Sequence, residues 1–258
     1  MNAIHDYIAV FDSGVGGISV LRHLRRVMPG ERYLYFGDSA NAPYGTKTKA
    51  QVRELTFAAA ETLSNKGIKA LVVDCNTATS AAINELRAAY PDLIVIGIEP
   101  ALKLAVDCFP GGRIGVMATP MTLKEEKFAN LMHRYGETCI VHKIPAPGLV
   151  ELIESGGADF PETEELLRKL FAPYMGQLDA LVLGCTHYPF AAKAISKVLG
   201  EGVTLLDGGD GTARETRRRL KEAGLLEEGP GELIITNSKE DPHFIALSEQ
   251  LLSTKASP

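Results

Sequence analysis

The chain has 258 residues, room for one large domain or two of ordinary size, and 45% of them are hydrophobic, enough for a substantial core. A formal charge of −5, from 27 basic and 32 acidic residues, argues against a general nucleic-acid binder. No apolar stretch approaches the roughly 18 residues a membrane span needs, and the four cysteines (75, 108, 139 and 185) lack the C-x-x-C spacing of a zinc ribbon or thioredoxin-type motif.

The N-terminus runs straight into a first predicted strand, "YIAVFD" (7–12). It has no basic region or cleavable apolar segment, so a cytoplasmic protein with reduced cysteines is expected. The glycine turn "DSGVGG" (12–17) and an amphipathic helix, "SVLRHLRRVM" (19–28), follow. The second strand, "RYLYFGD" (32–38), enters the loop "GDSANAPYGTK" and then the helix "KAQVRELTFAAAETLSNKG" (49–67). "ALVVDC" (70–75) and "LIVIGI" (93–98) are the third and fourth strands. "RIGVMAT" (113–119), the helix "TLKEEKFANLMHRYG" (122–136), and the strands "CIVHKIPA" (139–146), "ALVLGC" (180–185) and "VTLLDG" (203–208) continue the alternation. The one basic run, "RETRRRLK" (214–221), has helical spacing and acidic neighbours and reads as a solvated face. A ninth strand, "GELIITN" (231–237), lies between two last helices.

Near-continuous apolar strands separated by helices indicate an α/β fold with mostly parallel, doubly wound sheets covered on both faces. The order also suggests duplication. Asp12 precedes Cys75 by 63 positions, and Thr119 precedes Cys185 by 66. Two similar lobes are expected, 1–98 plus 210–258 and 99–209, changing over near "GIEPA" (97–101). In this division the segment after "LLDGGDG" returns to the first lobe. Ligands of such sheets bind beyond the carboxyl ends of the strands. "FDSGVGG", "GDSANAPYGTK", "DCNTATS" and "GCTHYP" all sit there, and a shared cleft between the lobes is the expected active site.

The glycines of "DSGVGG" permit a sharp turn and close backbone approach, and the helix it opens favours a phosphate or carboxylate. Gly14, Gly16 and Gly17 do not form the dinucleotide fingerprint, no Walker lysine is present, and a plain tight turn is the alternative. Cys75 precedes a helix-capping cluster, and a helix N-terminus can lower a thiol pKa below about 8.5. Asn76 and Thr77 add donors; Cys185 repeats the arrangement with Thr186 and His187. Inert packing is the competing reading of each thiol, and the one adopted for Cys108 and Cys139. His187 follows Cys185 in a C-x-H pattern, but no second ligand pair accompanies it, so no metal is expected. The imidazole either tunes a thiol's protonation or is structural. Pro43, Tyr44 and Gly45 form a turn whose Gly45 N–H can also meet a carboxylate.

Two matched thiols fit a disulfide switch, a nucleophile with a resolving partner, or proton transfer on opposite faces of one carbon. Inversion of a stereocentre demands the last. One group removes the proton, the other delivers it from the far side, and the roles exchange in reverse. One sulfur must be thiolate while the other is thiol.

Together "FDSGVGGISV", "PYG", "DCNTAT" and "GCTHYP" resemble the glutamate racemases of the cofactor-independent aspartate/glutamate racemase superfamily, in order and across almost the whole chain. The resemblance implies two α/β lobes, a homodimer, and interconversion of L- and D-glutamate for peptidoglycan, with no cofactor and no metal. It implies that Cys75 takes the α-proton of D-glutamate and Cys185 that of L-glutamate, assisted by Asp12 and His187 respectively. Substrate contacts carried over are Asp12, Ser13, Pro43, Tyr44, Gly45, Asn76, Thr77, Thr186 and His187, with Thr119, Thr122 and Glu154 near the site. Many members read "GDTARxPYG", where this chain places Asn41 in a position occupied by arginine. Competing functions are an amino-acid binding protein without catalysis, a hydantoinase-like cysteine hydrolase and a thiol redox protein.

Overall fold

The computed structural model describes residues 6–98, 101–124, 129–130 and 138–254. Its first sheet is built from β1 (Ile8–Asp12), β2 (Arg32–Gly37), β3 (Ala70–Val73), β4 (Ile94–Gly97) and the late strand β9 (Glu232–Asn237), ordered β4-β3-β1-β2-β9. Its second holds β5 (Arg113–Ala118), β6 (Ile140–Pro145), β7 (Ala180–Leu183) and β8 (Thr204–Leu206), ordered β6-β5-β7-β8. All pairings in both sheets are parallel. Read from its central strand, each sheet has the second strand on one side and the third and fourth on the other. The repeat seen in the sequence is therefore a repeat of topology, to which β9 adds an edge beside β2 in the first sheet alone.

Between the strands run α1 (Ile18–Val27), α2 (Lys49–Ser64), α3 (Asn76–Ala89), α4 (Leu102–Cys108) and α5 (Pro120–Lys124). They continue with α6 (Leu149–Glu154), α7 (Pro161–Phe171), α8 (Ala192–Leu199), α9 (Gly209–Glu222) and α10 (Pro242–Ser253). Strand alternation sends Ala9, Phe11, Leu71 and Val73 into a core with Leu63 and Leu86, and Ile8, Val10, Ala70 and Val72 into another with Leu21 and Leu220. The second sheet divides likewise: Met117 and Leu181 pack with Ile153 and Phe171, Ile114 and Val116 with Leu102 and Ala105. Burial on both faces explains why the strands read as continuous apolar runs.

Several expectations shift in detail. Most of the helix expected over 122–136 and part of "GIEPA" lie outside the described residues. The strands leading to the two thiols stop earlier than their apolar runs suggest, at Val73 and Leu183. Cys75 is instead the N-cap of α3, its Sγ facing the Ala78 N–H at 3.5 Å. Far from this end, Lys69 pairs with the fully buried Glu31 at 2.7 Å and donates to Leu225 O at 2.9 Å. This ties the stretch leading into β9 to the base of the first sheet. Among the described residues no helix is long and apolar enough to cross a membrane.

Candidate active site

Parallel strands leave their carboxyl ends open at the point where successive connections diverge to opposite sides. In the first sheet that point lies between β1 and β3, above Asp12 and Cys75. In the second it lies between β5 and β7, above Thr119 and Cys185. One cavity of about 90 Å³ is lined from both sheets by Ser13, Cys75, Asn76, Thr77, Thr119, Glu154, Cys185, Thr186 and His187, and by the loop Pro43–Tyr44–Gly45. Of the residues singled out from sequence, Asp12 and Thr122 stand behind the wall.

Around Cys75 the surroundings are oxygen-rich. Its thiol donates to Ser13 Oγ at 3.5 Å. Burial, followed by the negative charge of Asp12, pushes the thiol up to about 12, against the pull of Ser13 and the Ala78 N–H. The helix N-terminus that can lower a thiol pKa is present, but desolvation outweighs it. Asp12 makes no hydrogen bond to Cys75. Its carboxylate accepts from Gly14 N at 2.8 Å and from Thr186 Oγ1, on the other lobe, at 2.9 Å. Burial raises Asp12, while His187 and these two donors oppose the rise.

Around Cys185 the surroundings differ. His187 Nδ1 lies 3.7 Å from Sγ, and Nε2 lies 2.9 Å from Glu154 Oε1. Burial works against a charged imidazole, but the hydrogen bonds to Cys185 and Glu154 prevail and set His187 well above its usual value. Burial likewise raises Glu154, yet the His187 bond, its charge and the Val15 N–H bring the carboxyl below its usual range. The opposite shifts describe one ion pair held against a sulfur.

The glycine loop owes its composition to this pair. A Cβ on Gly14 would stand 1.9 Å from Glu154 Oε1, and one on Gly16 would stand 2.4 Å from both His187 Nδ1 and Thr186 Oγ1. The loop is the surface on which Glu154, Thr186 and His187 of the second lobe rest, and the carboxylate it receives here is that of Glu154. A second bridge between lobes is a ring of hydroxyls: Thr77 to Thr119 at 3.2 Å, Thr77 to Thr122 at 3.2 Å, and Thr119 to Thr122 at 2.9 Å.

Asp38, in the loop "GDSANAPYGTK", carries no sequence signal that singles it out. Asp38 accepts from the Tyr44 hydroxyl at 2.7 Å and from Asn41 Nδ2 at 3.1 Å, which fixes the wall formed by Tyr44. The same holds for Ser19 and Tyr35. Ser19 donates to Thr186 O at 2.8 Å, linking the two thiol-bearing ends, and Tyr35 donates to Gly14 O at 2.7 Å, fixing the glycine loop. Among the described residues no group of three or more His, Cys, Asp or Glu side chains is arranged to hold a metal.

Residues 17–216 match the Asp/Glu/Hydantoin racemase family. A glutamate racemase of Clostridium perfringens is 49% identical over 251 residues, 96% of this chain and 96% of its own. The crystal structure of glutamate racemase from Francisella tularensis in complex with D-glutamate has a TM-score of 0.87 at 29% identity, covering 98% of this chain and 95% of that one. The Escherichia coli glutamate racemase crystallised with L-glutamate and the activator UDP-MurNAc-ala has a TM-score of 0.85 at 29% identity, with coverage of 96% and 95%.

Proposed function

We propose, since the chain belongs to the Asp/Glu/Hydantoin racemase family, that it interconverts L- and D-glutamate by two-base proton transfer at Cα. The observation that carries this reading is the pair of buried thiols, Cys75 and Cys185, at equivalent positions of a repeated topology and on the wall of one cavity. Binding alone has no use for two such thiols, and hydrolysis needs one nucleophile.

L-glutamate gives its α-proton to Cys185, and Cys75 delivers a proton to the opposite face. D-glutamate runs the exchange in reverse. The first direction starts from a Cys185 thiolate and a Cys75 thiol. The elevated Cys75 thiol suits its part. The proton held on His187 beside the Cys185 sulfur balances the other. Carbanion character at Cα is stabilised by preorganised donors in a water-poor cleft: Asn76, Thr77, Thr186 and the loop N–H groups. Ser13, Pro43, Tyr44, Gly45 and Thr119 complete the substrate wall, Thr122 supports it through Thr77, and Asp12 acts from behind through Thr186 and on Cys75 by its charge.

The same reading takes residues 1–98 plus 210–258 and 99–209 as the two lobes, a homodimer as the assembly, the cytoplasm as the compartment and peptidoglycan precursors as the use of D-glutamate. The test is circular dichroism of L-glutamate with the purified protein under reducing conditions, without added cofactor and with aspartate run alongside. The signal decays to zero with glutamate. An unchanged signal for glutamate contradicts the proposal and favours a binding protein.

A further inference from the structure

Asp74 immediately precedes Cys75 and takes no part in the reaction above. The register of β1 with β3 pairs Val10 with Val72 and Phe11 with Val73. The Asp74 N–H extends that ladder by donating to Phe11 O at 2.8 Å. One step further along, Asp74 therefore stands beside Asp12 on the adjacent strand, and both side chains leave the sheet on the Val10–Val72 face. Both aspartates are fully buried. Their partners are unequal: Asp12 accepts two hydrogen bonds, whereas neither carboxyl oxygen of Asp74 has a partner among the described residues.

Two neighbouring carboxylates in a dry core cannot both remain charged, and the one without donors takes the proton. Asp12 on β1 and Tyr35 on β2 interact electrostatically with Asp74, and Cys75, the N-cap of α3, follows it directly in the chain. Against the same face α1 brings Ile18, the end of β4 brings Ile98 and α9 brings Ala213, all apolar. The absence of any bond to the Asp74 oxygens means that no cation on these elements neutralises it. Burial and the charge of Asp12 accordingly raise Asp74 well above the usual carboxylate range.

We propose that Asp74 is a positioning residue that keeps one proton beside Asp12, so that the pair carries a single negative charge next to Cys75, and that its ionisation sets the alkaline limit of the reaction. A second charge beside Asp12 reinforces the field that already disfavours the Cys75 thiolate, which the D-to-L direction requires. The functional half of this inference rests on the racemase reading; the protonation half does not.

The experiment pairs infrared spectroscopy with a pH profile. Wild-type protein carrying ¹³C-carboxyl aspartate shows the C=O stretch of a buried protonated acid at about pH 7. The band fades as pH rises through the range in which kcat/KM falls, and it is absent from D74N. In D74N the alkaline limb of kcat/KM moves up by about one pH unit or more, a gain of about fivefold or more in relative rate at the pH where the wild type has lost nine-tenths of its activity. Should D74N fold poorly, the wild-type band and its titration still decide the question. Carboxylate bands alone at about pH 7 overturn the assignment whatever the activity. A protonated band with an alkaline limb unmoved in D74N overturns the functional role, and a protein that shows the band but racemises nothing overturns the underlying reading instead.

Discussion

The two thiol-bearing ends have the same topology and opposite chemistry. Cys75 caps a helix among Ser13, Asp12 and a backbone N–H, in a field that favours the thiol. Cys185 faces an imidazole whose far nitrogen is bonded to a carboxylate, in a field that favours a nearby positive charge. The repeated topology thus supplies two equivalent positions, and local side chains give them different surroundings. Because the enantiomers have equal free energy in water, kcat/KM in the two directions must remain equal in every variant. The inequality of the halves can appear only in kcat and KM taken separately, or in pH dependence.

The largest break in this comparison is removal of either sulfur. Cys75→Ala and Cys185→Ala should each lower kcat/KM by about 10³-fold or more, since neither half can complete inversion alone. Next is Gly16→Ala, which forces a methyl group against His187 and Thr186. Displacing the imidazole from Cys185 should cost about 10²-fold in kcat/KM while leaving a folded protein by circular dichroism. Glu154→Gln keeps the shape but removes the charge that raises His187, with an expected loss of about tenfold near neutrality. The imidazole then gives up its proton at lower pH than in the wild type. The ratio of variant to wild-type rate should fall as pH rises from about 6 to about 8, a trend read from parallel pH profiles.

Smaller effects sharpen the picture. Thr77→Val breaks both hydroxyl contacts that run from the first lobe to Thr119 and Thr122 of the second and should raise KM about fivefold, measured by initial rates. On stability, the folded Cys75 thiol holds its proton more tightly than the unfolded one. Its contribution is complete below about pH 8.5 and is lost as pH rises towards about 12. Thermal melts of wild type against Cys75→Ala should show the difference in Tm shrinking over that interval.

The nine strands among the described residues were legible because sheets buried on both faces leave continuous apolar runs between polar, glycine-containing turns. The thiols were legible because the repeat placed them in matching contexts. What the sequence could not convey were contacts between residues far apart in the chain. The Asp12–Thr186 bond spans 174 positions and the Glu154–His187 bond joins different elements, so neither leaves a spacing pattern. The glycine loop shows the consequence: its capacity for a carboxylate was readable, but the carboxylate of Glu154 comes from the second lobe. The direction of the Cys75 thiol pKa was not legible for a related reason. A helix N-terminus is visible in sequence, whereas complete desolvation is a property of the assembled cleft.

Two sulfurs, each with its own proton, acting on one carbon leave a signature in solvent exchange. The most direct measurement is the deuterium content of substrate and product early in the reaction in D₂O, run from each enantiomer. The account predicts solvent deuterium at Cα in the newly formed enantiomer while the remaining substrate keeps protium, in both directions. Deuterium appearing in the remaining substrate as fast as in the product would contradict it, because that is the behaviour of a single base serving both faces.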